Sequence, residues 1–147
     1  MIFITVQELI DDHAEIIRIY GGLDGIRDIG LLISAIEMSK AMMFGEFLHP
    51  TVFDKAAAYL FHIICNHPFV DGNKRTGTMT ALTFLRQNQV HIKLTEEQTA
   101  ILEELVVSTA SSKTTKEQIA NFFKECYTGP ELPDDMAKPA LDVEKRK

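Results

Sequence analysis

Cysteine is scarce in this 147-residue chain. Only Cys65 and Cys126 occur, too few for a disulfide scaffold, so both thiols are expected to be reduced. Basic charge is short as well. Lys and Arg number 15 against 21 Asp and Glu, a formal net charge of -6, and the basic residues that cluster do so in one internal stretch or at the extreme C-terminus. A nucleic-acid partner requires a basic footprint and is therefore not expected. No apolar run is long enough to cross a membrane, and the start MIFITVQELIDD lacks the basic opening and long apolar stretch of a secretory signal. The expectation is a cytoplasmic protein with no membrane partner. Internal repeats are also absent. What is present, 46% hydrophobic and 24% charged residues, is the composition of one globular domain with its own core.

The apolar pattern is helical almost throughout. Thr5-Val6-Gln7-Glu8 is a capping box, and Val6, Leu9, Ile10, His13, Ile16, Ile17 and Tyr20 follow at helical spacing. A first helix to about Tyr20 is predicted, ended by Gly21-Gly22-Leu23-Asp24-Gly25. Asp28 can cap a second helix carrying Leu31, Leu32, Ala35, Ile36 and Met38, although Gly30 is odd in a first turn. Ala41 to Pro50 loses the period and reads as a connecting loop with Met and aromatic side chains left available. From Thr51 to Asn66 nearly every position except Asp54, Lys55 and His62 is apolar or small, the pattern of a helix buried on most sides. A second apolar helix is predicted from Lys74 to Asn88 with Asn73 as its N-cap, so the two form a hairpin-like core pair. Val90 to Leu94 alternates like a short strand or extended link. Thr95-Glu96-Glu97-Gln98 and Thr114-Thr115-Lys116-Glu117 each open a further helix. Beyond Tyr127 three of the five prolines and no usable period predict a flexible tail.

Between the two central helices lies His67-Pro68-Phe69-Val70-Asp71-Gly72-Asn73-Lys74-Arg75-Thr76-Gly77. This stretch crowds a proton carrier, a carboxylate, two cations and two glycines into eleven residues. Proline and the Gly-Asn pair break helix, so a loop running onto a helix start is expected. Helix N-termini already carry unpaired N–H groups and the positive end of the dipole, which makes Lys74 and Arg75 misplaced for stability. An anion shared by these cations, the dipole and the Gly72 backbone accounts for them, with phosphate the candidate.

Each residue also has a plainer reading. His67 could simply cap the preceding helix, but its neighbours favour a general base, because an imidazole titrating near about 6.5 can accept a hydroxyl proton at neutral pH. Asp71 could be a turn former beside Gly72, or the oxygen ligand that Mg2+ needs next to a phosphate cradle. Phe69 reads as a plug pinning the loop into the core. His62, Cys65 and His67 have zinc-capable chemistry, but no second Cys/His pair follows at ligand spacing, and His62 is more simply a histidine at the core edge. His13, His49 and His91 are isolated and receive no chemistry.

The stretch from His67 to Arg75 resembles the signature loop of the Fic/Doc proteins, and Lys74, with Thr76 after Arg75, is similar to the Doc (death-on-curing) branch. Gly25-Ile26-Arg27-Asp28, Gly30-Leu31-Leu32, Ser34-Ala35, Ala81-Leu82 and Phe84-Leu85-Arg86 extend the resemblance over roughly residues 5 to 127. It implies an all-α Fic fold over residues 1–127, with 128–147 as the tail, and transfer of part of a nucleoside triphosphate onto a protein hydroxyl. By that analogy His67 deprotonates the acceptor, Asp71 holds Mg2+, and Gly72, Asn73, Lys74 and Arg75 hold the phosphates of ATP. Met43 to Val52 would be the flap that positions the target. The adenylyl-transferring branch has glycine where Lys74 stands and a second arginine where Thr78 stands. The Doc branch, with the lysine, implies a reversed nucleotide and a kinase-like reaction on a translation elongation factor. The family's internal inhibitory motif is not matched, because Thr99 to Glu103 is followed by Glu104. Control would then fall to a small antitoxin protein seated in a groove over the site. A Doc-like toxin and phosphotransferase is the leading expectation. Adenylyl transfer and a non-catalytic nucleotide- or anion-binding module are the alternatives.

Overall fold

A computed structural model describes residues 1–137. Seven α-helices form among them: α1 (Val6–Tyr20), α2 (Ile29–Glu37), α3 (Val52–Asn66), α4 (Asn73–Gln87), α5 (Glu96–Ala110), α6 (Lys116–Cys126) and α7 (Asp134–Ala137). The fold is all-α apart from a two-stranded hairpin, β1 (Met42–Met43) paired with β2 (Glu46–Phe47). Capping boxes open α1, α3, α5 and α6 at Thr5, Thr51, Thr95 and Thr115, while Asp28 caps α2 through the Leu31 N–H. Gly30 has its reason here, since a Cβ would lie 3.3 Å from the capping Asp28 Oδ1. Residues 90–94 form no strand.

The near-continuous apolar run of α3 makes it the central helix, packed against α2, α4 and α6. Ala56, Ala57, Tyr59, Leu60 and Ile63 are all fully buried along it. Helix α4 approaches closely enough at Gly77 that a Cβ would meet Leu60 O and Ile64 Cγ1, each at 3.3 Å. The pair therefore holds both ends of the intervening loop on rigid supports.

Two polar residues of α3 are buried with partners. Tyr59 accepts the Ile4 N–H at 3.0 Å, tying down the N-terminal strap, and burial pushes its phenol up to about 12. Lys55 extends its ammonium to the carbonyls of His49 (2.5 Å) and Pro50 (3.0 Å) and over the Phe47 ring at 4.0 Å. That ammonium anchors the root of the hairpin, which the sequence presented only as loop. The hairpin turns at Phe44 (φ 53°) and Gly45 (φ 80°), two successive left-handed residues as a tight two-residue turn requires. Strands of two residues are too short to show alternation. Phe44, at the tip, is 97% exposed.

Of the expected tail, the described part carries α7, with Leu132 and Met136 packed against the core. Residues 138–147 lie outside the described residues.

Candidate active site

Helix α3 ends at His67, whose backbone is left-handed (φ 51°, ψ 54°) and whose N–H bonds to Ile63 O at 3.3 Å. Its backbone caps the helix, as the plainer reading has it, and its side chain is left exposed in a cleft. The last carbonyls of α3 are taken by Arg27, with Nε 2.6 Å from His67 O and a terminal nitrogen 2.8 Å from Asn66 O.

The chain just before α2 runs antiparallel along the loop. Arg27 and Asp28 donate their N–H groups to Pro68 O at 2.7 and 3.0 Å, Val70 donates to Gly25 O at 3.0 Å, and Ile26 bridges Phe69. Phe69 is fully buried, as a plug should be, and its ring stacks on His13 at 3.7 Å and 3°. The Nε2 of that buried histidine lies 2.8 Å from Asp71 O. A carbonyl only accepts, so Nε2 carries the proton.

Asp71 is exposed, and its two carboxylate oxygens accept the N–H groups of Leu23 (3.2 Å) and Gly72 (2.9 Å). The Leu23 bond, then the Gly72 bond, hold this carboxyl below the usual carboxylate range, so it is ionised at neutral pH. Close approach of the Tyr20–Leu23 turn is possible because residue 22 is glycine: a Cβ there would lie 2.7 Å from Asp71 Oδ2.

Asn73 does not cap α4. Gly72 occupies the cap in a left-handed conformation (φ 78°) with no side-chain cap bond, and Asn73 is the first helical residue. Its buried amide turns back to Phe69, donating to the carbonyl and accepting the N–H, both at 3.0 Å. Asparagine favours N-caps when its side chain is free to bond the first turn; here closing the loop takes both ends of the amide. Those two bonds occupy the amide oxygen and one of the two amide hydrogens.

All six residues singled out in the loop, His67, Asp71, Gly72, Asn73, Lys74 and Arg75, line one cleft of about 1070 Å³. Lys74 and Arg75 are exposed there, and the Arg75 guanidinium lies over the Tyr20 ring at 4.5 Å. Thr78 also lines the cleft and donates its hydroxyl to Lys74 O at 2.9 Å. Farther along, the walls become apolar, with Leu82 of α4 facing Leu102 and Val106 of α5. An imidazole, a carboxylate, two cations and an uncapped helix start thus share one solvent-filled space. Such a set can bind a phosphate chain and take a proton from a hydroxyl.

The residues fit Mg2+ in one specific way. No group of three or more His, Cys, Asp or Glu that could hold a metal occurs among the described residues, so no all-protein cage forms. Mg2+ commonly takes one or two carboxylates and completes its shell with phosphate oxygens and water. Asp71 offers one such carboxylate, ionised and exposed beside the helix start. The zinc-capable trio of His62, Cys65 and His67 does not assemble: His62 Nε2 instead lies 3.1 Å from Lys116 Nζ.

Residues 3–85, which hold α1 to the greater part of α4 and the whole loop, match the Fic/DOC family. The chain belongs to that family. It is 33% identical over 128 residues to "Protein kinase doc" of Escherichia phage P1, covering 87% of this chain and 98% of the relative. It is also 44% identical over 73 residues to "Toxin Doc" of Mycolicibacterium smegmatis, covering 50% of this chain and 56% of that relative. For a Fic/DOC member, the residues that sequence reading missed are those under the loop: His13, Tyr20, Gly22 and Arg27. Only Arg27 lies in the stretch, Gly25 to Asp28, that carried part of the resemblance; His13 and Tyr20 read as helical stripe and Gly22 as part of a helix end. No helix among the described residues is long and apolar enough to cross a membrane.

Proposed function

We propose that the protein is a Doc-like toxin that transfers a phosphoryl group from ATP to a hydroxyl of a protein, a translation elongation factor by family analogy. The observation that carries this reading is the placement of the His67 imidazole, the Asp71 carboxylate and the α4 start with Lys74 and Arg75 on one cleft. In this reading the α4 backbone N–H groups with Lys74 and Arg75 bind the phosphates and hold the attacked phosphorus in line. His67 takes the proton from the attacking hydroxyl as the new bond to the γ-phosphorus forms, and the bond from that phosphorus to the bridging oxygen breaks, ADP leaving with the electron pair. Asp71 would hold Mg2+, which when bound offsets phosphate charge. The hairpin, with Phe44 at its tip, is the segment proposed to hold the target.

The cleft supports an external regulator. Its volume, about 1070 Å³, is at or above the upper end of ordinary small-ligand sites, roughly 300–1,000 Å³. The apolar stretch between α4 and α5 suits a helix with apolar residues along one face, the form expected of an antitoxin segment. Relatives named a toxin and a protein kinase support both parts of the reading. The test is intact-protein mass spectrometry of a cell extract incubated with the protein, ATP and Mg2+. A phosphate mass on one protein is expected, lost with His67→Ala. An adenylyl mass would assign the other branch of the family, and no adduct with retained ATP binding would leave a binding module.

A further inference from the structure

On the side of α3 facing α6, Lys116 Nζ lies 3.0 Å from His49 Nε2 and 3.1 Å from His62 Nε2. A lysine nitrogen donates, so both Nε2 atoms are bare and accept. His49 Nδ1 lies 2.9 Å from Met38 O, which places the proton of His49 on Nδ1 and confirms the tautomer. Lys116 is the first residue of α6, an 11-residue helix, where the dipole disfavours a cation. Burial pushes its ammonium below the usual lysine range. It also borders an open cavity of about 390 Å³ shared with Leu48, His49, Pro50, Asp54 and Glu117. In the neutral form of the amine the two hydrogens are held by imidazoles and the lone pair takes the remaining tetrahedral direction.

We propose that Lys116 is a nucleophilic amine and a site of acylation by small activated acyl groups, either an acyl phosphate or an acyl thioester. The lone pair attacks the acyl carbon and the N–C bond forms. The C–O bond to phosphate or the C–S bond to thiolate breaks, and that group leaves with the electron pair. The amine proton passes to His49 Nε2, the acceptor 3.0 Å away whose other ring nitrogen is held by the Met38 carbonyl. Burial, then the Lys116 charge, hold this imidazole below its usual range, and acylation removes that charge. His62 orients the amine and is a poor proton acceptor, burial and Lys116 having pushed it down to about 4. Other charged or titratable groups at the cluster are Asp54 and Glu117 in the cavity, Lys55 near His49, and the Cys65 thiol, which burial keeps protonated. Asp54 is already committed to the Thr51 N–H at 3.1 Å. The amide product keeps one N–H, so one imidazole loses its partner and the tie from α6 to the foot of the hairpin weakens.

The test is timed exposure of the intact protein to acetyl phosphate in one arm and acetyl-coenzyme A in the other, with peptide mapping by mass spectrometry. Exposed Lys93, Lys113 and Lys124 serve as internal references. Lys116 should label several times faster than these three in at least one arm, and the faster arm identifies the donor class. His49→Gln should bring Lys116 down towards the reference rate while the references stay unchanged, and Lys116→Arg should remove the adduct. Labelling of Lys116 no faster than the references in both arms would overturn the proposal. An unchanged Lys116 rate in a folded His49→Gln variant would overturn the role of His49.

Discussion

His13 and Asp71, 58 residues apart, are joined by a 2.8 Å hydrogen bond from the imidazole Nε2 to the Asp71 carbonyl. The same ring is stacked on Phe69, so one buried side chain fixes two points of the loop. His13→Phe keeps a ring for the stack and removes the donor, leaving a carbonyl unpaired at a cost of about 1–3 kcal/mol. Urea denaturation should show that loss. Under the proposed function the variant should also need more Mg2+ for half-maximal transfer, because Asp71 loses a backbone restraint; an unchanged Mg2+ requirement would reduce His13 to a packing residue.

Gly22→Ala tests the same carboxylate from above. At φ 112° a side chain is strained, and its Cβ would sit 2.7 Å from Asp71 Oδ2, so the carboxylate must move. Gly21→Ala is the control, since its Cβ would meet nothing within 4 Å although φ is 81°. Both should lose on the order of 1 kcal/mol of stability to backbone strain. Under the proposed function only Gly22→Ala should raise the Mg2+ concentration needed for the half-maximal rate of transfer.

These buttresses explain what was legible in the sequence. The loop could be read because its cations, carboxylate and imidazole are neighbours in sequence, and the helices because capping boxes at Thr5 and Thr95 and a 3.6-residue period mark them. His13 looked like one more position in the stripe of α1. Its partner is Asp71, and Arg27 meets His67 across 40 residues, pairings that no local period encodes. Asn73 misled for the opposite reason: its local preference for capping gave way to the Phe69 backbone.

Under the proposed function, Lys74 and Thr78 bear on which phosphorus is attacked. Lys74 stands exposed in the cleft, and the Thr78 hydroxyl bonds back to Lys74 O. Lys74→Gly combined with Thr78→Arg removes one cation and adds another a turn later. Phosphate transfer to the target should fall at least about 100-fold, because in-line placement of the γ-phosphorus is lost. Adduct mass on the target is the measurement, and undiminished phosphorylation by the double variant would remove Lys74 from that role.

His62 should give the fold an acid dependence of its own. Its folded value is pushed down to about 4 from 6.5 by burial first and Lys116 second. Between those values the unfolded chain binds a proton that the folded chain does not, so stability falls as pH drops through that window. His62→Gln should flatten the pH dependence of the urea midpoint there by close to one proton. Parallel profiles for the two proteins would contradict the assignment.

The left-handed backbone at His67 has a consequence for anyone producing this protein. A residue with a Cβ is held in a conformation that glycine adopts freely, at a cost on the order of 1 kcal/mol. His67→Gly should therefore relieve strain at the very position where the proposed proton acceptor is deleted. Folding and the proposed chemistry pull this residue in opposite directions. A library selected only for yield or heat resistance would enrich glycine at position 67 and discard the imidazole, so screens for well-behaved variants need a transfer assay beside them.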